Sequence, residues 1–181
     1  GGAKISTKIE LIDHLIDRAN IILIGGAMAF TFLKSMEYEI GNSLFEEEYL
    51  SLSKDIINRA KKKKVNLVFP LDIVCTKDIK NPDTIEVKGV DSLDPDDIGL
   101  DIGPETCINF EMFLKAANTV VWNGPMGFFE NPYFSTGTQA IASSLQDLSK
   151  DSQAITIIGG GDTVSAINHF NKNLKFTHVS T

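Results

Sequence analysis

The chain has 181 residues, of which 43% are hydrophobic and 23% charged, and its formal net charge is -7 at pH 7. This composition is typical of one folded domain, and the acidic balance argues against a nucleic-acid partner, because nucleic-acid surfaces bind basic proteins. No apolar run is long enough to span a bilayer, which argues against a membrane partner. Cys75 and Cys107 lie far apart without clustered histidines, so we expect a reducing, cytoplasmic location and neither a disulfide nor a zinc site.

Helical and strand-like periodicities alternate along the chain. Apolar residues at helical spacing predict six helices, at Ile9 to Ala19, Met28 to Met36, Leu44 to Lys63, Glu105 to Ala117, Thr138 to Leu148 and Val164 to Phe170. Short apolar runs predict five strands, at Ile21 to Ile24, Val65 to Phe69, Thr119 to Trp122, Ile155 to Ile158 and Phe176 to Val179. This alternation predicts an α/β fold, a Rossmann-like three-layer sandwich whose mainly parallel sheet is covered by helices on both faces.

Several local patterns refine this outline. The segment from Thr7 to Glu10 matches a capping box, and the acidic run from Glu46 to Glu48 is predicted to lie in the first turn of the long helix. Between Cys75 and Asp101 the chain is rich in Asp, Pro and Gly, which predicts an excursion with a small ribbon near residues 84–87. Neither end of the chain completes an α/β unit, so we expect one domain, residues 1–181, truncated at both ends.

The segment from Ala154 to Thr163 has the pattern of a phosphate cradle. A β-branched strand runs into three glycines, Gly159, Gly160 and Gly161, and a helix follows them. Glycines allow the backbone N–H groups to approach an anion, and the positive end of the helix dipole favours it. Asp162 would repel that anion unless a cation lay between them, which favours a magnesium-nucleotide. The alternative is a tight turn with Asp162 as an ordinary helix N-cap.

Small residues also follow two other predicted strands, at Gly25 to Ala27 and at Asn123 to Pro125. Ligands of open α/β sheets bind at the carboxyl ends of strands, so these residues favour a floor for a flat ring and a phosphate chain. Neither the P-loop nor the dinucleotide fingerprint is present in the sequence. Lys4 and Lys8 are then the candidates for positive charge beside the phosphates. The alternative is that both are solvated surface lysines.

Five segments, in this order, resemble the nucleotide-binding half of the phosphoglycerate kinase family. They are Gly1 to Lys8, Gly25 to Lys34, Gly99 to Glu105, Trp122 to Glu130 and Ile158 to Thr163. The resemblance implies a glycolytic enzyme of two domains that moves a phosphoryl group reversibly between 1,3-bisphosphoglycerate and ADP. It also implies that residues 1–181 form the C-terminal, nucleotide-binding domain, and that the N-terminal phosphoglycerate-binding domain is missing.

The resemblance further implies a role for individual residues. Lys4 and Gly161 would be catalytic, with Lys4 stabilising the transferring phosphoryl group, and Asp162 would hold Mg²⁺. The residues implied to bind ADP or ATP are Lys8 and Asn123 at the phosphates, Glu130 at the ribose, Gly26, Ala27, Gly99, Leu100 and Pro125 at the adenine, and Gly160, Gly161, Asp162 and Thr163 in the cradle.

The expected partners are therefore ADP or ATP and the missing domain that carries 3-phosphoglycerate. We expect a monomer, and we expect the chain by itself to bind nucleotide without transferring a phosphoryl group. The alternative is a non-catalytic adenine-nucleotide-binding module built on the same sheet.

Overall fold

A computed structural model of the protein describes residues 1–151, 154–170 and 175–180. Its helices are α1 (Ile9–Ile16), α2 (Met28–Ser35), α3 (Leu50–Lys62), α4 (Pro104–Lys115), α5 (Thr136–Asp151) and α6 (Gly161–Phe170). Its strands are β1 (Ile21–Leu23), β2 (Asn66–Val68), β3 (Asp72–Thr76), β4 (Glu86–Gly89), β5 (Ile98–Ile102), β6 (Thr119–Asn123), β7 (Ile155–Gly159) and β8 (His178–Ser180). All six predicted helices and all five predicted strands are confirmed, with shifts of a few residues at their ends.

The parallel strands form two groups that meet at their carboxyl ends. Strand β1 pairs with β2 in parallel, and β7 lies between β6 and β8, parallel to both. The N–H of Gly26, beyond β1, donates to the carbonyl of Met126, beyond β6, at 3.1 Å. Gly2 lies between the two groups, because its N–H donates to Pro125 and its carbonyl accepts from Met28. The expected fold class, with parallel strands flanked by helices, is confirmed.

The expected excursion is larger than a ribbon. Strands β4, β3 and β5 form an antiparallel sheet in which β3 is central, and neither β3 nor β5 was predicted. The reason is that both strands bury carboxylates, which hide their apolar periodicity. Asp72 accepts from the N–H groups of Glu105 and Thr106 in the first turn of α4, at 3.0 and 2.8 Å. Asp101 of β5 is likewise 3% exposed.

Three helix starts differ from the sequence predictions. No capping box forms at α1, because the Thr7 hydroxyl donates to the carbonyl of Lys4 at 2.9 Å and the N-cap residue Lys8 makes no side-chain cap. Helix α3 begins at Leu50 after a short 3₁₀ turn, so Glu46 precedes both elements. Helix α6 begins at Gly161, three residues earlier than predicted, so Asp162 lies inside the helix and is not its N-cap.

Within residues 1–151, 154–170 and 175–180, the buried apolar side chains form three clusters. One joins α1, β1, α2 and α3, and a second joins α4, α5, α6, β6 and β7. A smaller third cluster, which includes Phe30 and Ile73, packs α2 against the antiparallel sheet. Among the described residues, no helix combines the length and apolar character that crossing a membrane requires.

Candidate functional site

A cavity of about 450 Å³ opens at the carboxyl ends of the parallel strands. Its lining comes from the N-terminal segment, the start of α2, strand β5, the loop after β6 and the start of α6. Seven of the residues predicted for nucleotide binding line it together: Gly26, Ala27, Gly99, Leu100, Pro125, Glu130 and Asp162. Residues that are distant in sequence therefore share one crevice, as a single binding site requires.

One half of the cavity is a flat, mainly apolar slot. A methyl group at Gly99 would overlap the ring of the buried Phe30 and would lie 2.9 Å from Cγ2 of Ile73. Gly26 has a φ of +71°, and a methyl group there would lie 2.5 Å from the N atom of Gly2. Only glycine fits at both positions, and the resulting smooth wall suits a planar ring. This half of the cavity is called the base slot below.

The rest of the cavity reaches the glycine bend between β7 and α6 at Asp162, the one residue from Gly159 to Thr163 that lines it. Gly160 has a φ of +88°, and a methyl group there would lie 3.2 Å from Oδ1 of Asn123. The same Oδ1 accepts a hydrogen bond from Nζ of Lys8 at 2.5 Å. Asn123 therefore lies between Lys8 and the bend and is close to both. This arrangement can neutralise an anion at a helix N-terminus.

Thr163 holds this bend to the end of β6. Its hydroxyl accepts from the N–H of Gly124 at 2.6 Å and donates to the carbonyl of Gly159 at 2.7 Å. Its own N–H donates to the carbonyl of Gly160 at 3.1 Å. The side chain is completely buried, so in this arrangement Thr163 supports the bend from behind. Contact between Thr163 and a phosphate stays a prediction.

Asp162 and Gly161 lie on the open side of the bend. Asp162 is exposed and lines the cavity, and no atom lies within 4 Å of a methyl group placed at Gly161. Proteins hold Mg²⁺ with one or two carboxylates together with phosphate oxygens, and Asp162 offers one such carboxylate at the N-terminal end of α6. The residues present therefore fit the expected ion.

The other predicted residues do not line the cavity: Lys4, Lys8, Asn123, Gly160, Gly161 and Thr163. Glu130, one of the seven that do, is exposed. Lys4 is exposed too, and it directly follows Ala3, which lines the cavity.

The sequence analysis missed several residues that shape the cavity. Asp101 lines it while accepting from the N–H groups of Gly137 and Ile102, at 2.8 and 2.9 Å. Burial raises the pKa of Asp101 to about 7, against the opposite effect of these two hydrogen bonds. The N–H of Gly99 donates to the hydroxyl of Ser43 at 2.9 Å. Asp101 could have been recognised as buried, because it lies between the apolar residues Leu100 and Ile102 in a segment already singled out. No pattern near Ser43 indicated its contact with Gly99.

The chain has parallel strands flanked by helices, and glycine-rich turns line a cavity at the carboxyl ends of those strands. These features define the class of Rossmann-like α/β domains, in which that edge of the sheet is the usual place for a ligand. The family model for phosphoglycerate kinase matches residues 1–181. The chain is 44% identical to the phosphoglycerate kinase of Dictyoglomus turgidum and 48% identical to that of Thermosipho africanus, over all of this chain and 45% of each relative. The chain belongs to the phosphoglycerate kinase family.

The fold is similar to that of two solved structures. The phosphoglycerate kinase structure from Coxiella burnetii has a TM-score of 0.93 and 37% identity, and the match covers all of this chain and 46% of that one. The structure from Pyrococcus horikoshii, at 23% identity and a TM-score of 0.74 over all of this chain and 45% of that one, shares the fold. The chain spans slightly less than half the length of the curated relatives that it matches.

Proposed function

We propose that this chain is the C-terminal, nucleotide-binding domain of a phosphoglycerate kinase. The whole enzyme transfers a phosphoryl group reversibly from 1,3-bisphosphoglycerate to ADP, giving 3-phosphoglycerate and ATP. The observation that carries the proposal is the single cavity in which the glycine-walled base slot, Glu130 and Asp162 meet. Family membership of all 181 residues supports the same reaction.

The nucleotide lies across the carboxyl ends of the strands. Its adenine enters the base slot, and Glu130 accepts from the ribose hydroxyls. Its phosphates run towards the bend, where Lys8 and Asn123 already form one hydrogen-bonded unit. The residues that contact the adenine are Gly26, Ala27, Gly99, Leu100 and Pro125.

Transfer requires little covalent chemistry from the protein. A terminal phosphate oxygen of ADP bonds to the phosphorus of the acyl phosphate, and the bond from that phosphorus to the carboxyl oxygen breaks. The protein must align the two oxygens and neutralise the dispersed negative charge. Lys4 and the backbone at Gly161 provide positive charge and N–H dipoles at the moving group. Asp162 holds Mg²⁺, which when bound neutralises phosphate charge.

The phosphoglycerate is held by the N-terminal domain of the same polypeptide. The chain by itself then binds Mg-ADP and does not catalyse transfer, and the complete enzyme is a cytoplasmic monomer. A coupled assay with ATP and 3-phosphoglycerate tests the first statement, since turnover by the 181-residue chain above background contradicts it.

Calorimetry and kinetics distinguish an enzyme from a nucleotide sensor. In the enzyme, Lys4→Ala leaves the Kd for Mg-ADP within about twofold and lowers kcat of the full-length protein by about 100-fold or more, because Lys4 acts mainly on the transition state. Lys62→Ala, at an exposed position on α3, is the matched control. A sensor would change affinity only, and a protein that binds neither Mg-ADP nor Mg-ATP would refute the proposal.

A further inference from the structure

A four-residue segment between α2 and α3, Ser43 to Glu46, contacts both the base slot and the N-terminal loop that carries Lys4 and Lys8. At one end, the hydroxyl of Ser43 accepts from the buried N–H of Gly99 in the base slot at 2.9 Å. At the other end, the Glu46 carboxylate accepts from the N–H and the hydroxyl of Ser6, at 3.0 and 2.5 Å. Leu44, between them, lines the cavity itself. We call Ser43 to Glu46 the brace.

The brace is attached to rigid structure. The N–H of Glu46 donates to the hydroxyl of Thr31 at 3.1 Å, and Thr31 is 1% exposed on α2. Just before the brace, the N–H of Asn42 donates to the carbonyl of Asp97 at 2.7 Å. Gly41 turns the chain there with a φ of +58°, which suits glycine. The brace therefore holds a set position relative to α2 and to the antiparallel sheet.

The loop that Glu46 holds carries Lys8, the candidate for the nucleotide phosphates, and Lys4, the candidate for the transferring phosphoryl group. Ser6 lies two residues from Lys4 and two residues from Lys8. Inside the loop, the Thr7 hydroxyl donates to the carbonyl of Lys4 at 2.9 Å, and the N–H of Lys8 donates to the carbonyl of Ile5 at 2.8 Å. Burial raises the pKa of Glu46, but the hydrogen bonds from Ser6, together with the N–H of Ile5 and the positive charge of Lys4, lower it below its ordinary value. The carboxylate thus stays charged and strengthens both bonds.

We propose that Glu46 is a positioning residue that holds the Lys4 to Lys8 loop beside Asn123 and the glycine bend, at a fixed position relative to the base slot. The inference rests on the proposed function, because it assigns Lys8 to the nucleotide phosphates. Glu46 acts through Ser6 and needs no contact with the nucleotide. Without it, the loop must be ordered each time phosphates bind, and that entropic cost weakens binding.

Comparing adenosine with Mg-ADP isolates this role, because adenosine reaches the base slot and Glu130 but carries no phosphate. In the full-length protein, we expect Glu46→Ala to raise the Kd for Mg-ADP about tenfold, roughly the worth of one charged hydrogen bond. The Kd for adenosine stays within about twofold. Glu46→Gln keeps one acceptor oxygen and gives an intermediate value. Glu47→Ala, on the next residue and exposed, is the matched control and leaves both constants unchanged.

Each outcome of this experiment decides between two statements. Equal weakening of adenosine and Mg-ADP, or no weakening of either, overturns the role of Glu46 while the proposed function stands. Wild-type protein that binds neither ligand refutes the proposed function itself. Should Glu46→Ala fail to fold by circular dichroism, Glu46→Gln and Ser6→Ala, which removes only the hydroxyl donor, provide the same comparison.

Discussion

Replacing Thr163 with valine removes the hydroxyl that joins β6 to the glycine bend and keeps the shape of the side chain. The change leaves the buried N–H of Gly124 without the acceptor that lies at 2.6 Å, which costs about 1–3 kcal/mol. Losing the bond to the carbonyl of Gly159 adds about 0.5–1.5 kcal/mol. We therefore expect Thr163→Val to lower the free energy of unfolding by about 2–4 kcal/mol, and Tm by roughly 5–15 °C at this chain length.

Urea unfolding followed by circular dichroism measures this loss. Thr163→Ser is the matched control, because it keeps the hydroxyl and removes one methyl group, at a cost of about 1 kcal/mol. The valine variant should be clearly less stable than the serine variant. If valine is as stable as serine or more so, the hydroxyl does not hold the bend to β6, and the reasoning is refuted.

Three further changes test other parts of the site. Gly99→Ala forces the Phe30 ring to move. We therefore expect the free energy of unfolding, measured in urea, to fall by about 1–3 kcal/mol and the Kd for adenosine to rise. An unchanged Kd would contradict the assignment of the base slot. Asp72→Ala removes the acceptors at the first turn of α4 and should cost about 1–3 kcal/mol, measured as a lower Tm. Burial raises the pKa of Asp101 from 3.8 to about 7. Between these two pH values the folded chain keeps a proton that the unfolded chain releases. The contribution of Asp101 to the free energy of unfolding is therefore lost as pH rises through that range. As pH rises in that range, the free energy of unfolding of Asp101→Asn should increase relative to that of the wild type by up to about 1.4 kcal/mol per pH unit. Parallel pH profiles of the two proteins in urea unfolding would exclude this titration.

The predictable part of the site was its chemistry at strand ends. The glycines at 25–26, 124 and 159–161 follow strands that periodicity located correctly, and parallel strands place their carboxyl ends at one edge. That rule was enough to expect Gly26, Pro125 and Asp162 near one another, and all three line the cavity. Strands β3 and β5 of the excursion were not predicted, because they bury Asp72 and Asp101, which interrupt the apolar alternation.

The sequence by itself determined the order of the six helices and the five parallel strands, and the edge at which a ligand would bind, because these follow from local periodicity and the placement of glycine. Only the tertiary structure decided which side chain holds which loop. Glu46 meets Ser6 across 40 residues, and Thr163 meets Gly124 across 39. A hydrogen bond over such a separation depends on how packed elements bring two distant backbones together, and no local pattern encodes that distance.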